Sequence, residues 1–114
     1  MLLNAGNIDV RKLLGGDPAG VPITQMVVGT SATAVTGNET ALTNPVIKTL
    51  TAIDYTTPQV VLFIAELLAN DPAMTIREMG LINANGVLVY RTVVPDKAKV
   101  AGLTYNLNYR ISVK

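Results

Sequence analysis

The sequence predicts a mainly β protein, an antiparallel two-sheet sandwich of about six strands with a short N-terminal helix. Three observations carry this. Over residues 103–114, Leu103, Tyr105, Leu107, Tyr109, Ile111 and Val113 alternate with Thr104, Asn106, Asn108, Arg110, Ser112 and Lys114. That pattern gives a strand one apolar face and one polar face. In residues 75–91, TIREMGLINANGVLVYR, two β-rich segments flank Asn83-Ala84-Asn85-Gly86, and Asn-Gly is the strongest short-range hairpin signal. Several strands are apolar on both faces, which favours two packed sheets over one solvated sheet.

The elements follow in chain order. Residues 7–16 read as a helix with Asn7 as N-cap, Asp9 in the first turn, Arg11 and Lys12 in the last, and Gly15 as the stop. Its apolar residues Ile8, Leu13 and Leu14 are candidate interface or fold-fixing positions, because a helix this short holds its shape only by docking on the domain or a neighbour. Residues 15–20 are a Gly/Pro connector, so 1–22 form a helix and linker arm and 23–114 a β core, together one domain. Residues 23–29 form the first strand. Residues 30–44, rich in Thr, Ser, Ala, Gly and Asn, form a long loop with one helical turn near Glu39 to Leu42. Residues 46–56 read as one Thr-rich, β-branched strand with a bulge. Residues 59–68 carry both signals: Pro58 with Ala, Glu and Leu suits a helix, whereas Val60, Val61, Phe63 and Ile64 suit a buried strand. A strand fits the β context better. Asp71 caps a turn, and Pro95 to Lys99 break the second hairpin strand.

The composition narrows the function. The 114 residues are 49% hydrophobic and 15% charged, so the chain folds, and its surface relies on Thr and Asn or on cover by other subunits. Nine basic against eight acidic side chains give no electrostatic case for nucleic acid or an anionic membrane. The longest apolar run is far shorter than the roughly 20 residues of a spanning helix. The start lacks the basic and long apolar regions of a signal peptide.

Catalysis has little to work with. The absence of Cys and His removes disulfides, thiolate metal sites and the commonest general base. Ser31 and Ser112 lie outside any nucleophile motif and read as solvated hydroxyls. The carboxylates are scattered, and no metal or cofactor motif is present, so neither enzyme activity nor a cofactor is expected. Tyr55, Tyr90, Tyr105 and Tyr109 are able to stack sugars, although Tyr105 and Tyr109 alternate with Leu and Ile in the manner of core residues.

The charges that most need explaining are Arg77 and Glu78. Alternation places Ile76, Glu78, Gly80 and Ile82 on one face and Arg77, Met79 and Leu81 on the other. Each mainly apolar face therefore carries one charge, which is costly unless paired. Two readings stand: satisfaction near a sheet edge by loop backbone or a charge such as Arg91 or Lys48, or an ion pair between subunits. Gly80 in mid-strand marks a bulge or the close approach of another group.

Taken together, PITQMVVGT at 22–30, TALTNP at 40–45, TIREMGL at 75–81 and NGVL at 85–88 resemble the N-terminal, baseplate-attaching domain of tail-fibre (tail-collar) proteins of tailed bacteriophages and related contractile particles. The likeness spans about residues 8–114, and Arg77 and Glu78 fall on its motif. It implies a mainly β, non-catalytic virion protein, assembled in the host bacterial cytoplasm, that joins a fibre to the tail. No fibre-shaft repeat occurs in these 114 residues, so the resemblance implies an adaptor or minor structural subunit. Its partners would be other tail or baseplate proteins and a fibre subunit, in a trimer or ring. The alternative expectation is a carbohydrate-binding module that holds host glycans with its tyrosines and the loop at 30–44.

Overall fold

The computed structural model describes residues 1–113; Lys114, expected at the end of the last strand, lies outside the described residues. Seven strands form two antiparallel sheets. They are β1 (Ile23–Gly29), β2 (Val46–Thr49), β3 (Ala52–Asp54), β4 (Val60–Leu67), β5 (Met74–Asn83), β6 (Leu88–Lys99) and β7 (Tyr105–Ser112). The larger sheet has the order β2-β1-β5-β6 and the smaller the order β3-β4-β7. The two-sheet sandwich with a short N-terminal helix is therefore the observed architecture.

The core lies between the sheets. Met26, Val28, Ile76, Met79 and Leu81 of the larger sheet meet Phe63, Ala65, Leu67, Leu107 and Tyr109 of the smaller. Burying each large apolar side chain contributes about 1.5–3 kcal/mol. Residues 59–68 are resolved as the strand β4, whose buried residues Phe63, Ala65 and Leu67 alternate with half-buried ones. A second apolar cluster, Leu3, Val27, Leu42, Ile82 and Leu88, covers the outer face of the larger sheet. Both faces of that sheet are thus apolar because both are covered, one by the other sheet and one by loop and N-terminal residues.

Four local expectations are corrected. Residues 46–56 are two strands, since the chain turns at Leu50 and Thr51 from one sheet into the other; Leu50 N–H donates to Thr24 O and Thr51 N–H to Ile64 O. The expected bulge is this corner, which raises the count from about six strands to seven. The segment 30–44 contains no helical turn at Glu39 to Leu42; the Glu39 carboxylate is engaged with loop amides instead. Pro95 does not end β6. It sits in an irregularity opposite Arg77, between the pairs Ile76 with Lys97 and Glu78 with Val93, where a missing N–H costs nothing. That irregularity also interrupts the alternation on β5, so Ile76 joins Met79 and Leu81 in the inter-sheet core.

The fourth concerns the helix start. A 3₁₀ turn, Asn4–Gly6, runs directly into α1 (Asn7–Leu14), so Asn7 is the first helical residue and makes no side-chain cap. At the other end Gly15 caps the helix and Gly16 takes φ +71°. Gly16 N–H then donates to Leu13 O and Asp17 N–H to Lys12 O, the paired bonds of a Schellman stop. Residues before the turn extend the larger sheet: Leu2 bridges Tyr90, and Leu3 N–H donates to Val89 O.

Candidate functional site

β5 runs between β1 and β6, so Glu78 is not near a sheet edge as expected. It projects from the outer face of an interior strand, beneath the loop at 30–44. The cross-strand register of β5 and β6 sets Gly80 opposite Arg91, close enough for Arg91 to reach Glu78. Arg91 Nε donates to Glu78 Oε1 at 2.7 Å, and the two side chains are 3% and 1% exposed. Glu78 Oε2 accepts the N–H groups of Ser31 at 2.9 Å and Thr43 at 3.0 Å. Arg91 Nη2 donates to Thr33 O at 2.8 Å and, more weakly, to Ser31 O at 3.4 Å. One buried ion pair thus grips both ends of the loop by its backbone.

This resolves the two readings of Glu78 in favour of loop backbone and Arg91 within one chain. Removing either partner would leave the other charged and buried, at a cost of about 3–5 kcal/mol. Arg77 is different. Its side chain is 40% exposed and lies 3.4 Å from Asp96, with a long bond to Thr30 O, an ion pair of the exposed class that contributes little. Lys48 pairs with Asp71 at 2.9 Å. Asp71 caps its turn as expected, accepting Leu68 N–H at 2.6 Å, and the Lys48 partnership holds its carboxyl below the usual range.

The loop has its own fastening. Glu39 accepts Thr36 N–H at 2.6 Å, the Thr36 hydroxyl at 2.9 Å and Gly37 N–H at 3.0 Å. The backbone bond from Thr36 is the main reason its carboxyl is held down to about 2 from 4.5. Glu39 also stands 4.0 Å from Arg91 Nη1, and that nitrogen is buried with no hydrogen-bond partner. It lines a small cavity of about 120 Å³ with Ser31, Thr43 and Glu78. A polar hollow of that size, between a guanidinium and two carboxylates, has room for more than one water and suits a bridging water at Nη1.

Two glycines permit this packing. A Cβ on Gly29 would lie 2.5 Å from Glu78 Oε2 and 2.8 Å from Thr43 O, and one on Gly80 would lie 2.7 Å from Tyr90 O and 2.8 Å from Leu88 Cδ1. Gly80 therefore reflects the close approach anticipated from sequence. Gly29 and Glu39 were missed, because their roles depend on a loop conformation without periodicity.

The helix residues singled out from sequence stand apart from this site. Ile8, Leu13 and Leu14 are 45%, 41% and 81% exposed, and no residue of α1 is buried. The helix is tied down by polar contact, Asn83 Nδ2 donating to Asp9 Oδ2 at 2.9 Å. The tyrosines are dispersed: Tyr55 is 70% exposed after β3, while Tyr90 and Tyr109 meet inside, ring centroids 6.4 Å apart and tilted by 57°. Burial pushes the Tyr109 hydroxyl up to about 12.

Among the described residues, no group of His, Cys, Asp and Glu is arranged to hold a metal, and no helix is long and apolar enough to cross a membrane. Comparison of the chain with protein-family models, with curated proteins and with solved structures finds no match.

Proposed function

We propose that the chain is a non-enzymatic structural protein of a phage tail or baseplate, acting as an oligomeric adaptor that attaches a tail fibre. The observation that carries this reading is the convergence of its four tail-fibre-like motifs. Residues 22–30 and 75–81 pair as β1 and β5. Glu78 of the 75–81 motif holds Thr43, in the 40–45 motif, and Ser31, just after the 22–30 motif. Leu42, Val27, Ile82 and Leu88 close the same face. Segments far apart in sequence thus form one contiguous unit, which supports reading the four motifs together.

Two further features support assembly. Ile8, Leu13 and Leu14 are exposed on a helix whose own domain buries none of them, a surface suited to a neighbouring subunit. The chain is also poor in charge, as suits a protein covered on several sides. The adaptor would work mechanically, its sandwich acting as a rigid body and its helix and edges as contacts.

The test is location. Gold-labelled antibody against the chain should decorate the tail or baseplate of particles from a culture expressing it, and denaturing gels of those particles should contain its band. Particles that lack the chain would refute the proposal.

A further inference from the structure

The two sheets differ by one strand, and the difference has a place. β4 packs over β1 and β2, and β7 packs over β5. β6, the fourth strand of the larger sheet, has no strand of the smaller sheet lying directly over it among the described residues; Tyr90 reaches sideways from it to Tyr109 of β7. Beside β7 and above β6 runs a groove made of two adjoining hollows of about 320 and 460 Å³, which share Met79, Val94 and Asn108. Its floor is Met79, Tyr90 and Val94.

The wall of this groove is a free strand edge. Val113 N–H donates to Gln59 O at 2.7 Å, continuing the register that sets Ile111 against Val61 and Tyr109 against Phe63. Bonded and non-bonded pairs alternate along an antiparallel pair. The N–H and C=O groups of Asn106, Asn108, Arg110 and Ser112 therefore point away from β4, into the groove. The other sheet edges are blunted: β2 and β3 have four and three residues, and β6 is capped by residues 1–3 and irregular at Pro95. β7 has eight residues without Pro, Gly or a register break, the kind of edge that accepts another strand.

We infer that this groove binds a single extended segment of another polypeptide, which pairs antiparallel or parallel with β7 and supplies the missing fourth strand of the smaller sheet. A second copy of the sandwich does not fit by joining β7 to β7, because the incoming β5 would then claim the space that β6 fills. The occupant is a strand without a layer of its own on that side. Alternate residues of it would be apolar, to cover Tyr90, Val94 and Met79, and one would be acidic. Arg110, exposed on the outer face of β7, has no ion-pair partner among the described residues and would face that carboxylate. Main-chain bonds would supply affinity and the alternate side chains selectivity. The inference does not rest on the tail reading.

The test uses the whole chain and a blocked peptide of about eight residues, the length of β7, alternating Val and Thr with one Glu. Amide exchange should show Asn106, Asn108 and Arg110 open in the free protein and protected in the presence of peptide. Asn108→Pro removes an N–H that the fold does not use, so melting should be unchanged while binding weakens about tenfold or more. Replacing the peptide's Glu by Lys should also weaken it. Three results would overturn the inference: no protection by the peptide, equal binding by a folded Asn108→Pro variant, or protection of these amides without peptide, which would mean that a second copy covers the edge. If Asn108→Pro fails to fold, the exchange measurement on the unaltered chain decides alone.

Discussion

At the scale of single residues, the fold turns on the difference between two adjacent charges. Glu78 is buried and engaged three ways, whereas Arg77 meets Asp96 near solvent. Glu78→Ala should therefore lower unfolding free energy by about 3–5 kcal/mol, and Arg77→Ala by less than about 1 kcal/mol, as read from urea denaturation. Equal losses would mean that the burial difference is not what matters. Glu39 makes stability depend on pH. Its folded-state value, about 2, lies below the 4.5 expected when unfolded. Its contribution is therefore fully present above 4.5 and is lost as pH falls from there towards 2. Urea midpoints measured across that window should fall for the natural chain, and Glu39→Gln should flatten part of the slope. Asp71 and Asp54, whose carboxyls are also held below their usual range, contribute in the same direction. The need for a partner at Glu78 was legible from a charge on an apolar strand face, and Arg91 was among the partners foreseen. Glu39 was not, since three acceptor contacts from a loop leave no mark on periodicity.

At the scale of elements, alternation and turn chemistry located the strands, while their ends and breaks depended on tertiary context. The Asn-Gly hairpin formed where its residues required, with Gly86 at φ +79°. Leu103 and Val113, by contrast, fit the alternation expected over 103–114 yet lie outside β7, which spans only Tyr105–Ser112, and are 52% and 57% exposed. The split of residues 46–56 was hidden because a corner between sheets keeps β-branched composition on both sides. Gly80 offers a test of how tightly β5 is clamped. Gly80→Ala would press a methyl against Tyr90 O, backbone that has no room to move, so a loss of about 1–3 kcal/mol is expected. A melting temperature unchanged by this substitution would show that the sheet relaxes more than its geometry suggests. Leu14 offers the opposite case. At 81% exposure, Leu14→Glu should leave stability within about 0.5 kcal/mol while reducing association with other subunits in sedimentation.

At the scale of the whole molecule, the chain is a small sandwich of a four-stranded and a three-stranded sheet, with one covered outer face and one exposed helix. The two-sheet class was readable from strands apolar on both faces. Which strand lay in which sheet, and that a loop would form a third layer, was not, because those depend on partners distant in sequence. The role proposed for this body is assembly. The most direct test is the native mass of the complex that contains the chain, released from purified particles under mild conditions. Several copies together with at least one other tail protein are expected, and Leu14→Glu should lower the recovered mass. A chain recovered only as a monomer, with no tail protein bound and no change on substitution, would contradict it.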